Sequence, residues 1–256
     1  MIRLKTATDI EKLREGGRHH AEILKKLASL VEPGMSSVEL DNQAVLLLKE
    51  YGDEAAFLGY RPESAKEPFP ATLCVSVNDV IVHGIPNRNV VILKEGDIVT
   101  LDLGLKHQGM ITDAAITVPV GKVSKEASRL IQATREALSE GLRVIKHGRH
   151  IGDIGSAIER YADNKGYYLA DDLAGHGVGY AVHEEPYVPN WGEKGDGPEL
   201  VPKMVLAVEP MLCLGSGNVV FEKDGYTVRT KNGLLSAHFE HTVLVTEAGF
   251  EVLTKL

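Results

Sequence analysis

Cysteine is scarce in this 256-residue chain: only Cys74 and Cys213 occur. Two thiols so far apart build no disulfide framework, and no Cys-x-x-Cys pair is present to hold structural zinc, so a reducing compartment fits. Positive charge is in deficit, with 28 Lys and Arg against 36 Asp and Glu and a formal net charge of −8. That balance disfavours a protein whose affinity comes from neutralising nucleic-acid phosphates or anionic lipid. The basic residues early in the chain (Lys12, Arg14, Arg18, Lys25, Lys26) alternate with acids and read as a solvated helix face. No run approaches the roughly 18 apolar residues of a membrane span, and the first residues carry no apolar signal core, so a cytoplasmic protein is expected. Neither Gly-x-Gly-x-x-Gly nor a glycine loop followed by Lys-Ser/Thr appears, which removes the common phosphate cradles.

What remains is the composition of an ordinary globular protein, 43% apolar and 25% charged. A capping box at Thr8-Asp9-Ile10-Glu11 opens a first amphipathic helix that Pro33-Gly34 stops. Ser36-Ser37-Val38-Glu39 caps a second, ending at Gly52. The order returns 114 positions later: Ser124 starts a third helix, and a fourth follows Gly148 and stops at Gly166. Gly34 then matches Gly148, Glu39 matches Asp153, and Gly52 matches Gly166. Each pair of helices precedes β-branched runs: 71–77, 97–105 and 109–120, then 204–212, 227–229 and 238–246. The expectation is an α+β domain over 1–256, made of two related halves (1–122 and 123–256), with a curved antiparallel sheet covered by helices.

Acids interrupt these runs. Asp102 breaks Ile98-Val99-Thr100-Leu101, and Asp113 breaks Ile111-Thr112-Asp113-Ala114-Ala115. If a two-residue turn at His107-Gln108 or Gln108-Gly109 joins the strands, both carboxylates lie on one face, within about 4.5–8 Å. Two such neighbours do not ionise together without a cation. Glu209 and Glu240 repeat the anomaly in the second half, and His176, between glycines in Gly175-His176-Gly177-Val178-Gly179, adds an imidazole in backbone that can approach closely. Four carboxylates and one imidazole form an oxygen-rich set suited to manganese, iron(II) or cobalt, and bridging acids suggest two ions. His183-Glu184-Glu185-Pro186 is not a His-Glu-x-x-His helix, because Tyr187 holds the last position and Pro186 interrupts it.

The order Asp102, Asp113, His176, Glu209, Glu240, with Val82-His83-Gly84-Ile85-Pro86, His183-Glu184-Glu185-Pro186 and Phe239-Glu240-His241-Thr242, resembles the methionine aminopeptidases. The resemblance spans nearly the whole chain and implies the "pita-bread" fold. It implies that Asp102 chelates one divalent ion, that His176 and Glu209 chelate the other, and that Asp113 and Glu240 bridge both, the ions being cobalt, manganese, iron or zinc. It also implies removal of the initiator methionine from nascent chains with a small second residue, by attack of a hydroxide bridging the two metals. His83 then positions the substrate, His183 polarises the carbonyl, and Glu209 shuttles the proton. Only about thirty residues separate His176 from Glu209, which leaves no room for the helical insertion of type II enzymes and is similar to type I. X-Pro aminopeptidases and dipeptidases share the metal core but carry a large N-terminal domain. Non-catalytic pita-bread proteins that bind peptides typically lack the ligands. A monomer acting on nascent polypeptide N-termini is expected, with ribosome docking left open.

The resemblance places Tyr60, Cys74 and Tyr226 in the substrate pocket. Here the chain departs from the bacterial pattern. Phe57 stands where relatives often have Cys, Val182 where they often have Phe, and Tyr226 where they often have Trp. The proline-punctuated segment 61–70 is longer than in the family and reads as a surface loop beside the pocket.

Overall fold

The computed structural model describes residues 1–62 and 65–255. Among them are four helices, α1 (Ala7–Leu30), α2 (Ser37–Tyr51), α3 (Lys125–Arg143) and α4 (Ile151–Lys165). Strands β1 (Glu54–Ala55), β2 (Leu73–Val77), β3 (Val80–Val82), β4 (Ile98–His107) and β5 (Met110–Pro119) precede α3. Strands β6 (Tyr168–Leu169), β7 (Ala174–Gly177), β8 (Glu184–Pro189), β9 (Val205–Val208) and β10 (Met211–Cys213) follow α4. The chain continues through β11 (Val219–Phe221), β12 (Val228–Thr230), β13 (Ser236–His238), β14 (His241–Val245) and β15 (Phe250–Val252). No helix among the described residues is long and apolar enough to cross a membrane.

Helix α1 starts two residues ahead of the expected cap. Thr6 is the N-cap, and the carboxylate of Asp9 accepts from its backbone N–H at 2.9 Å, so the shorter acid serves where Glu11 was expected. The helix also ends at Leu30, ahead of Pro33, which disfavours helical backbone at the residue before it. Helix α2 starts and stops where the sequence places it, α3 starts after its expected cap Ser124 and ends at Arg143, ahead of Ile145, and α4 follows Gly148 and stops at Gly166 as expected. Ser36 and Glu39 form the box of α2, and Gly52 closes it at φ 76°. Asp153 accepts from the His150 N–H to open α4, and Gly166 closes that helix at φ 75°.

Helices α1 and α2 bury Ile23, Leu24, Leu27, Leu40 and Leu48 against Leu73, Val99, Leu101 and Leu103 of β2 and β4. Helices α3 and α4 bury Leu130, Ile131, Leu138, Ile154 and Ile158 against Leu206, Val208 and Val243 of β9 and β14. Every strand pairing is antiparallel: β4 lies between β1 and β2 and also pairs with β5, and a five-stranded sheet runs β15-β14-β9-β7-β8. Because side chains alternate along a strand, the face of β4 opposite Leu101 and Leu103 carries Asp102.

The two sheets join along β5. Thr242 Oγ1 accepts from the Asp113 N–H at 2.8 Å and donates to the Asp113 carbonyl at 2.7 Å, while the Glu240 N–H donates to the Ala115 carbonyl at 2.9 Å. Two expected strands are interrupted at this seam. The 204–212 run breaks at Glu209-Pro210, where proline has no N–H for the ladder, and the 238–246 run breaks at Phe239-Glu240. Glu209 and Glu240 therefore sit at strand ends, one step past the last pair, Val208 with His241, and not in strand interiors.

Candidate metal centre

The β4–β5 hairpin turns through Gln108-Gly109, at φ 46° and 85°, with His107 opposite Met110. Positive φ at both positions matches the twist of antiparallel strands. The resulting register sets Asp102 opposite Ala115 and Gly104 opposite Asp113, so the two aspartates are diagonal neighbours on one face. Glycines bring β7 to them. A Cβ on Gly175 would stand 2.3 Å from the Ala207 carbonyl oxygen, and one on Gly177 would stand 2.3 Å from that of Glu185, so only glycine permits the approach that carries His176 inward.

Donor atoms of Asp113, His176 and Glu240 all lie within 4.8 Å of one another, as do those of Glu209, His238 and Glu240. His176 donates from Nδ1 to the Gly177 carbonyl at 2.9 Å, which leaves Nε2 as the free nitrogen, 3.4 Å from Glu209 Oε1. Burial pushes Asp102 up to about 7. Asp113, Glu209 and Glu240 are also pushed up, first by burial and then by neighbouring carboxylates: Asp102 for Asp113, and Asp113 for both glutamates. Oδ1 of Asp102, Oδ1 of Asp113 and Oε1 of Glu240 are buried without a hydrogen-bond partner among the described residues. Orphaned anionic oxygens beside an imidazole with a free nitrogen are the donor set of a hard divalent cation, and the residues fit one.

All ten residues singled out from the sequence line one cavity of ≈ 260 Å³: Asp102, Asp113, His176, Glu209 and Glu240 with His83, His183, Tyr60, Cys74 and Tyr226. Phe57 and Val182 share its wall with Phe69, Met211 and Phe221. Tyr60 Oη lies 2.7 Å from His183 Nδ1, and His83 donates from Nδ1 to the Tyr226 carbonyl at 3.3 Å. Burial, with the neighbouring His176 and His83, lowers His183 to about 3, and burial lowers His176 to about 4, so both imidazoles are neutral near pH 7. Of the 61–70 segment, Glu63 and Ser64 lie outside the described residues. Phe69 is buried with its ring 5.2 Å from that of Tyr226, and Tyr226 Oη donates to the Glu67 carbonyl at 2.6 Å.

Sequence reasoning passed over His238, which faces Glu209 and Glu240 from β13. Its one signal was a second histidine two residues from Glu240. A separate cluster, His19, Asp53 and His107, lies outside the cavity. Each imidazole donates from Nδ1 to its own Asp53 oxygen, at 2.8 and 2.6 Å, which satisfies the carboxylate without a cation.

Residues 11–247 match metallopeptidase family M24. A methionine aminopeptidase of Aquifex aeolicus is 44% identical over 259 residues, covering 100% of this chain and 99% of that one. The crystal structure of a methionine aminopeptidase from Thermotoga maritima superposes with a TM-score of 0.95 at 38% identity, covering 100% of both chains. A prolidase from Pyrococcus furiosus shares the fold alone, with a TM-score of 0.76 at 21% identity over 99% of this chain and 65% of that one. The architecture is the pita-bread fold, α+β with pseudo-symmetric halves. With the family match and these relatives spanning nearly its whole length, the chain belongs to metallopeptidase family M24.

Proposed function

We propose that this protein is an aminopeptidase that removes the N-terminal methionine from newly made polypeptides whose second residue is small. The observation that carries the reading is the convergence of four carboxylates and an imidazole, Asp102, Asp113, Glu209, Glu240 and His176, in one cavity walled by Phe57, Phe69, Cys74 and Val182. Asp102 would hold one divalent ion and His176 and Glu209 a second, with Asp113 and Glu240 shared between them. The ions are drawn from cobalt, manganese, iron and zinc, and the oxygen-rich donors favour the first three. Asp102 and Asp113 come from residues 1–122 and the other ligands from 123–256, so the whole chain acts as one catalytic unit.

Bound divalent ions supply Lewis acidity, which polarises the amide carbonyl and makes water nucleophilic near neutral pH. The chain's own residues do the rest. The Tyr60 hydroxyl lies 2.7 Å from Nδ1 of the neutral His183, and we assign it as the donor there. That assigns the ring proton to Nε2, a donor for the carbonyl oxygen as negative charge develops there. His83 is anchored through Nδ1 to the Tyr226 carbonyl, and its Nε2 orients the substrate's N-terminal residue. Glu209 carries the proton from the attacking water to the leaving amine. A cavity edged by Phe69 and Tyr226 accepts a long, unbranched, polarisable side chain, for which methionine is suited.

Offering the metal-loaded protein Met-Ala-Ser, Met-Leu-Ser and an X-Pro dipeptide tests this. Free methionine is expected from the first alone. Cleavage confined to the X-Pro dipeptide would overturn the assignment.

A further inference from the structure

His238 ends β13, whose pairing with β10 sets it opposite Met211. Thr117 Oγ1 fixes its backbone, accepting from the His238 N–H at 2.9 Å and donating to the His238 carbonyl at 2.8 Å. Strand alternation sends Ala237 into the core beneath α3 and α4 and the imidazole of His238 the other way, toward the carboxylates. The residue is 1% exposed, and neither ring nitrogen has a hydrogen-bond partner among the described residues. A buried imidazole with both nitrogens orphaned calls for an explanation. Nε2 lies 3.5 Å from Oε2 of Glu209 and 3.9 Å from Oε2 of Glu240, just outside hydrogen-bond range of both.

The two glutamates are thereby divided in the same sense. Their Oε2 atoms face His238, whereas Glu209 Oε1 faces His176 and Glu240 Oε1 has no hydrogen-bond partner among the described residues. We propose that His238 is a positioning residue of the metal centre, whose Nε2–H holds the outer oxygen of Glu209, leaves Glu209 Oε1 for the cation and steadies the neighbouring Glu240 from the same side. The proposal rests on the metal-centre reading above. Donors of this kind fix the orientation of carboxylate ligands and tune their basicity, and losing one typically weakens metal binding by about 10–100-fold.

Glutamine carries its amide nitrogen about as far from the backbone as Nε2, whereas asparagine reaches only as far as Nδ1. Titration calorimetry with Co²⁺ on the full chain should therefore give His238→Gln an affinity within a few-fold of the unsubstituted protein, with the visible cobalt spectrum unchanged. His238→Asn should bind about 10–100-fold more weakly. Undiminished binding by His238→Asn would overturn the proposal, as would an equal loss in both variants, since the imidazole would then be packing or a ligand. Glu240→Gln separates the two levels: if it binds cobalt normally, the metal-centre reading itself fails. A measurement that needs no variant is the ¹⁵N spectrum of histidine-labelled, zinc-loaded protein. His238 is expected as the Nε2–H tautomer, and the Nδ1–H tautomer would overturn the assignment.

Discussion

The hydroxyl of Tyr60 stands 2.7 Å from Nδ1 of His183, where a donating hydroxyl leaves the ring proton on Nε2. The two residues are 123 positions apart, so a substitution at one tests the role of the other. Tyr60→Phe keeps the aromatic wall but frees Nδ1 to take the proton. A lost hydrogen bond of about 0.5–1.5 kcal/mol corresponds to a fall in kcat of about 3–10-fold, with KM little changed. Steady-state kinetics on Met-Ala-Ser would measure it. In a His183→Ala background the same substitution should have no further effect, because its action runs through that ring.

A second expectation concerns the cost of the carboxylate cluster without its cation. Burial raises Asp102 above the usual carboxylate range, and Asp113 is raised by burial and by the Asp102 charge. Acids with raised folded-state values contribute stability at low pH that is lost as pH climbs from the unfolded value, about 4, through the folded one. Asp113→Asn cannot ionise. In chelator it should melt above the unsubstituted protein by a few degrees near pH 8, and the gap should close toward pH 5. Added cobalt should raise the melting temperature of the unsubstituted protein more than that of the variant and reverse the order. Thermal melts with and without metal at two pH values would show whether it does.

How far the site could be read beforehand follows the range of the interactions that build it. The Asp102–Asp113 pairing was legible because it depends on one short turn, and Gln108-Gly109 supplies the positive φ that a two-residue hairpin needs. The caps at Ser36 and Gly52 were legible for the same local reason. The start of α1 was misplaced because Thr6 and Thr8 both precede an acid at the capping distance, and backbone geometry chose Asp9. Pro210 offered a signal that β9 stops before Glu209, but the break at Phe239-Glu240, where the Glu240 N–H turns to the Ala115 carbonyl across the sheets, has no local mark. His238 reads in isolation as an ordinary core histidine. Only the juxtaposition of β13 with the Glu209–Glu240 seam gives it meaning.

Tyr226 tests the pocket wall apart from the metal floor. Its hydroxyl donates to the Glu67 carbonyl at 2.6 Å and lies 3.2 Å from the Tyr60 carbonyl, tying the wall together. Tyr226→Phe removes these bonds and keeps the ring stacked edge-on to Phe69. Wall contacts serve bound substrate and transition state alike, so KM for Met-Ala-Ser should rise about 3–10-fold while kcat holds. A fall in kcat at constant KM would instead place the hydroxyl in the chemical step.

His20 should give the fold a sensitivity to acid that is separate from the catalytic floor. It is fully buried between α1 and β5, with Nδ1 3.0 Å from Thr112 Oγ1 and Nε2 without a hydrogen-bond partner among the described residues. Burial, aided by nearby His241, lowers its folded-state value to about 3, whereas the unfolded chain takes up this proton near 6.5. Below that pH the unfolded state binds more protons, so the contribution of neutral His20 is complete above about pH 6.5 and is lost as pH falls toward 3. The loss between about pH 7.5 and 5 is on the order of 2 kcal/mol. His20→Asn places an amide near the Nδ1 position but takes up no proton. Urea unfolding in chelator at the two pH values should show a smaller acid-side loss in the variant, by about that amount. Equal losses in the two proteins would mean that the buried imidazole is protonated in the folded state as readily as in water.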